Sequence, residues 1–137
     1  MALTFHPKPG TIVVCDYSTG FREPEMVKRR PAIVVSPRLR RRKGLCSVVP
    51  LSTTEPTHVM PYHYLLKLER PLPHPWGTDQ MWVKGDMIST VSLTRLDLIR
   101  DKRIPGQPRR YIKVSVKADQ FDAIKASILN GLGINTS

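Results

Sequence analysis

The sequence predicts a mainly β domain: a small β-barrel carrying a C-terminal α-helix, in one domain spanning residues 1–137. Three observations predict it. The β-branched and apolar runs are short and bounded by turn residues. Thirteen prolines punctuate 137 residues, which suits many short strands better than a sandwich of long ones. Helical periodicity is clear only near the C-terminus.

Pro7-Lys8-Pro9-Gly10 is a turn. The first strand is Thr11 to Tyr17, β-branched and continuous as in a buried strand. Ser18 to Val27 is a polar loop. The second strand is Ala32 to Ser36, and Pro37 to Lys43 is a basic connection ending at Gly44, suited to a special φ. Leu45 to Ser52 is the third strand and Tyr62 to Leu68 the fourth. Pro71-Leu72-Pro73-His74-Pro75-Trp76-Gly77 is too proline-rich for a central strand. Met81 to Lys84 and Asp86 to Val91 are short strands around Gly85, and Arg95 to Ile99 is a short apolar run. A loop from Asp101 to Arg109 precedes a last strand, Tyr111 to Val116, alternating with period two. Phe121, Ile124, Ile128, Leu129 and Leu132 form one helical stripe. Asp119 and Asp122 favour its N-terminal turns, and Gly131 and Gly133 its end.

Composition bounds the function. No stretch approaches the roughly 18 apolar residues of a membrane span, and the N-terminus lacks the pattern of a signal peptide, so a cytoplasmic protein without membrane contact is expected. Cys15 and Cys46 lie in apolar runs and read as reduced core residues. The two cysteines and four histidines show no ligand spacing, so neither a metal site nor a cofactor is expected. His6, His58, His63 and His74 form no acid/base pair by spacing.

Charge is the informative feature. The formal net charge is +11. Met26 to Thr54 holds eight Lys or Arg and no acid: Lys28, Arg29, Arg30, Arg38, Arg40, Arg41, Arg42 and Lys43. A field so concentrated on strands and a loop fits a phosphate polymer better than a membrane surface, which calls for a basic amphipathic helix. Arg30 precedes Pro31, which biases it to extended backbone and places it at a strand mouth. A guanidinium fixed there can bind a phosphate through two donors, or it is a solvated surface arginine. Ser52 and Thr53 end the neighbouring strand; their hydroxyls reach the same phosphate or serve only as turn-makers. Glu25 is a candidate general base, an orienter of Arg30, or a salt-bridge partner. Trp76, between Pro75 and Gly77, is the best-placed aromatic for stacking a nucleobase, whereas Trp82 in a strand reads as core.

The segments Pro9 to Tyr17, Glu25, and Arg29-Arg30-Pro31-Ala32-Ile33-Val34-Val35-Ser36 resemble the start of the MazF/PemK family, toxins of type II toxin–antitoxin systems. Val49-Pro50-Leu51-Ser52-Thr53, then Asp86 to Val91 with Arg95-Leu96, and the C-terminal helix are similar to later blocks of that family. The resemblance implies an SH3-like β-barrel with a C-terminal helix, a homodimer, an acidic antitoxin as partner, and metal-independent cleavage of single-stranded RNA. It assigns the key arginine to Arg30 and the key hydroxyl to Ser52 or Thr53, and Glu25 matches a loop acid of some members. Met87 stands where many members have Gln, and the segments 71–77 and 105–110 look like insertions relative to compact members. The implied reaction is attack of a ribose 2′-OH on the adjacent phosphate, leaving a 2′,3′-cyclic phosphate. Lys28, Arg29 and the loop Arg38 to Lys43 would hold the RNA backbone. Two other readings use the same residues: a non-catalytic SH3-like module binding nucleic acid, and a degenerate relative whose basic face binds the antitoxin.

Overall fold

A computed structural model describes residues 2–102 and 104–134. The strands are β1 (Thr11–Asp16), β2 (Arg29–Val34), β3 (Leu45–Ser52), β4 (His63–Lys67), β5 (Gln80–Lys84), β6 (Ser89–Ser92), β7 (Leu96–Arg100), β8 (Tyr111–Ile112) and β9 (Val114–Ser115). The helix α1 runs from Ala118 to Gly131. Neighbouring strands pair antiparallel in the order β4-β5-β3-β2-β1-β7-β8, with β6 on β3 and β9 on β1. The mainly β class with a C-terminal helix is as expected. The sheet curls without closing: β4 and β8 end the path unpaired with one another.

Both faces of the central strands are covered, which is why they read as continuous apolar runs rather than alternating ones. One face (Ile12, Val14, Ile33, Val49 and Leu51) packs with β4, β5 and the α1 residues Ile124 and Ile128. The opposite face (Val13, Cys15, Ala32, Val34, Cys46 and Val48) is covered by Leu3, Tyr17, Phe21 and Leu93. Removing such a side chain, as in Ile33→Ala, costs about 2–5 kcal/mol.

Two elements depart from the sequence expectation for a reason that bears on the site. Strand β2 begins at Arg29, not Ala32, so Arg30 and Pro31 lie inside it. Tyr17 N–H donates to the Lys28 carbonyl at 2.8 Å. That sets the hydrogen-bonded phase of the hairpin, and the Val14↔Pro31 pair falls between bonded pairs. Pro31 therefore owes β1 no donor, and its nitrogen faces β3, where the ladder ends at Ala32↔Pro50. Asp86 and Met87, read as strand, form a 3-10 turn with Gly85 instead. A Cβ on Gly85 would lie 2.6 Å from the Ser127 backbone, and one on Gly131 would lie 2.8 Å from Asp86 Cα. The turn and the helix end touch backbone to backbone, which only glycines permit.

The other differences are local. The last expected strand breaks into β8, paired with β7, and β9, paired with β1. Leu132 lies past the end of α1 and is exposed, so the apolar stripe closes at Ile128 and the half-buried Leu129. Gln120 anchors the helix start, its Oε1 accepting from Lys117 N–H at 2.9 Å while its Nε2 donates to the Lys67 carbonyl at 2.7 Å.

Candidate active site

The β1–β2 loop is built before it is decorated. Asp16 accepts from the Ser18 backbone N–H at 2.8 Å and from the Ser18 hydroxyl, and these bonds hold its carboxyl below the ordinary range. Arg95 Nη1 donates to the Asp16 carbonyl at 3.0 Å and the Thr19 carbonyl at 2.7 Å. Its guanidinium also lies 4.8 Å from the Phe21 ring centroid, and Phe21 meets Tyr17 edge-on at 5.1 Å. Glu25 N–H then donates to the Arg22 carbonyl at 2.9 Å, turning the chain back towards β2. Lys28 closes the loop in the left-handed region at φ 73°.

This loop and β2 enclose an open hollow of about 530 Å³ lined by Glu23, Pro24, Glu25, Met26, Val27, Arg30 and Met87. Arg30 is half-buried and lines the hollow, and its Nε donates to the Val27 carbonyl at 3.4 Å. Glu25 is exposed on the rim. Thus two of the expected site residues share one hollow, and Met87 joins them there. Met26 and Val27, which sequence reading passed over as loop residues, supply its apolar wall.

Ser52 and Thr53 do not line that hollow. Arg30 and Ser52 each lie two residues beyond the Ala32↔Pro50 pair, so they share one face of diverging strand ends. Beyond Pro50, β3 pairs with β5 through Leu51↔Val83 and Ser52↔Trp82. Ser52 is buried, and its Oγ accepts from Thr54 N–H at 3.1 Å, which leaves the hydroxyl proton free to donate. Thr53 is exposed.

The remaining basic residues fall in two places. Arg38, Arg40, Arg41, Arg42 and Lys43 sit in a wholly exposed β2–β3 loop that ends at Gly44, at the expected positive φ of 82°. Its Arg42 N–H reaches the Leu39 carbonyl only at 3.4 Å. Arg29 points away from Arg30, across β2, into a groove that also holds Trp76. Lys28 is exposed at the loop end, and Trp82 is half-buried rather than core.

The thiols and histidines stand apart. Cys15 and Cys46 are free and buried, and burial pushes both thiols up to about 11. Burial also lowers His63, whose Nδ1 accepts from Met60 N–H at 3.1 Å. No group of three His, Cys, Asp or Glu residues among the described residues could hold a metal ion. No helix is long and apolar enough to cross a membrane among the described residues.

The fold and its likeness to known proteins define the class to which the chain belongs. The chain belongs to the family of PemK-like, MazF-like toxins of type II toxin–antitoxin systems, whose model matches residues 8–130. A relative from Haemophilus influenzae, described as an uncharacterized protein, is 31% identical over 136 residues, covering 90% of this chain and 93% of its own. Among solved structures, MazF from Deinococcus radiodurans is similar with a TM-score of 0.65 and 20% identity, covering 95% of this chain and 99% of its own. An endoribonuclease in complex with its cognate antitoxin, from a Mycobacterial species, is similar with a TM-score of 0.63 and 20% identity, covering 96% and 99%. At that identity these structures speak for the fold.

Proposed function

We propose that this toxin-family protein is an endoribonuclease that cleaves single-stranded RNA without a metal ion. The observation that carries the reading is the shared hollow of Arg30 and Glu25 at the start of β2. Family membership and the structural likeness to endoribonucleases support it. The ribose 2′-oxygen attacks the adjacent phosphorus while Glu25 takes its proton. The bond from phosphorus to the 5′-oxygen breaks, leaving a 2′,3′-cyclic phosphate and a 5′-hydroxyl once that oxygen takes a proton from water. Arg30 opposes the charge that gathers on the non-bridging oxygens. Ser52, on the same strand face, donates its hydroxyl proton to the phosphate and holds it in line.

The exposed loop from Arg38 to Lys43 tracks the RNA backbone. An acidic antitoxin covers the basic face, as complexes of structural neighbours with cognate antitoxins suggest. The protein acts as a homodimer in the cytoplasm, a reading that family membership supports.

The test is incubation of the purified protein with mixed-sequence RNA in EDTA, with mapping of the ends. Cuts leaving 2′,3′-cyclic phosphate and 5′-hydroxyl ends are expected. RNA that is bound but uncut would leave the non-catalytic binding module as the better account.

A further inference from the structure

A second concavity is larger than the Arg30 hollow. It is a groove of about 870 Å³ on the opposite side of β2, between the 71–77 loop and the chain leaving β7. Among the described residues four cationic side chains line it, Arg29, Arg100, Lys102 and Arg109, against the carboxylate of Asp101. Arg100 is partly neutralised by Asp97 at 3.2 Å. Lys102 and Arg109 are exposed. They are brought together because Asp101 N–H donates to the Arg110 carbonyl at 2.9 Å, pinching the loop at its base.

Trp76 gives this groove more than charge. The indole packs partly against the main core, and the ring also lines the groove. Its loop is fixed by Trp76 N–H to the Pro73 carbonyl at 3.2 Å and Leu72 N–H to the Thr78 carbonyl at 2.9 Å. A flat aromatic surface held rigid amid cations fits a nucleobase with phosphates on either side. An acidic peptide would use the cations and leave the ring without a partner. Arg29 and Arg30 are consecutive on β2, so their side chains point to opposite faces of the strand. A polymer passing Arg30 thus meets Arg29 as it crosses the strand end.

We propose that this groove is a second RNA subsite. One base stacks on Trp76 while flanking phosphates rest on Arg29, Lys102 and Arg109, so that the strand cut at Arg30 is gripped on both sides of β2. The ligand class rests on the endoribonuclease reading; the groove itself does not.

The test uses fluorescence anisotropy with the full chain carrying Arg30→Ala, which keeps the RNA intact. Three probes are compared: a labelled single-stranded RNA, the same backbone with abasic units, and poly-glutamate. The intact RNA is expected to bind about tenfold tighter than the abasic strand, the worth of one stacked base. Trp76→Ala should abolish that preference and Trp76→Phe restore it, while Lys102→Glu with Arg109→Glu should weaken both strands alike. Equal binding of intact and abasic strands overturns the subsite, as does a preference untouched at Trp76. Tighter binding of poly-glutamate than of RNA overturns it in favour of an acidic protein. The two readings separate cleanly. A wild-type protein that cuts RNA with no dependence on Trp76 refutes only the groove. One that shows the Trp76 preference and never cuts refutes only the nuclease.

Discussion

The two loops that flank β2 are both polar and both exposed, yet they differ in what holds them. The β1–β2 loop is pinned by Arg95 to two carbonyls, by Phe21 against Tyr17, and by Ser18 on Asp16. The β2–β3 loop carries five of the eight clustered cations, and its internal Arg42–Leu39 bond is long at 3.4 Å. The first holds two acids, Glu23 and Glu25, around the hollow of Arg30; the second spreads charge through solvent. Charge density draws a polyanion to a surface, whereas a reaction needs a charge whose position is fixed before the substrate arrives. The loop with fewer cations is therefore the one suited to chemistry.

The comparison breaks most sharply at Arg30. Arg30→Ala should lower the cleavage rate by about 10²–10³, as for loss of one preorganised donor, read in single-turnover assays. Arg30→Lys should recover only part, since an ammonium lacks the paired donors. Ser52→Ala should cost about tenfold or more and Thr53→Ala little; the reverse order would move the hydroxyl role to Thr53. Arg95→Ala touches no substrate and should still slow cleavage by about tenfold, because Glu25 loses its fixed loop. Its fold should lose about 1–3 kcal/mol, measured by urea unfolding.

Smaller effects belong to the basic loop and the sheet beneath. Changing Arg38, Arg40, Arg41, Arg42 and Lys43 to Gln should raise KM and flatten the salt dependence by about 0.7 in log–log slope per phosphate contact removed. The rate at saturating RNA should stay near wild type. Cys15 and Cys46 should resist alkylation at neutral pH, since burial pushes both thiols up to about 11. Keeping them protonated contributes stability that is fully present below the ordinary thiol value of 9.0 and lost as pH rises through about 11. The unfolding midpoint in urea should accordingly fall over that alkaline window.

Much of this arrangement was legible in the residues. Strand β3 could be bounded to the residue, because its apolar run stops at the hydroxyls of Ser52-Thr53-Thr54. Arg30 stood out because Pro31 restricts it. The early start of β2 was not legible, because a proline reads as a strand boundary unless the missing donor faces a place where pairing has ended. The 3-10 turn at Gly85 depends on Ser127, far along the chain, and no local pattern carries that contact. Arg95 was visible only as part of a family-like block; its grip on Asp16 and Thr19 spans more than seventy residues. The groove beside Trp76 joins two segments that read as separate insertions, so its cations could be counted but not placed together.

The most direct test of positioned against diffuse charge is a side-by-side determination of single-turnover rate and KM for Arg30→Ala and the five-residue loop variant. Arg30→Ala should lose rate at saturating RNA with little change in KM, and the loop variant should lose affinity with the rate preserved. If one missing guanidinium leaves the saturated rate intact while the five loop substitutions abolish it, the chemistry lies with the loop and the site assigned to β2 is wrong.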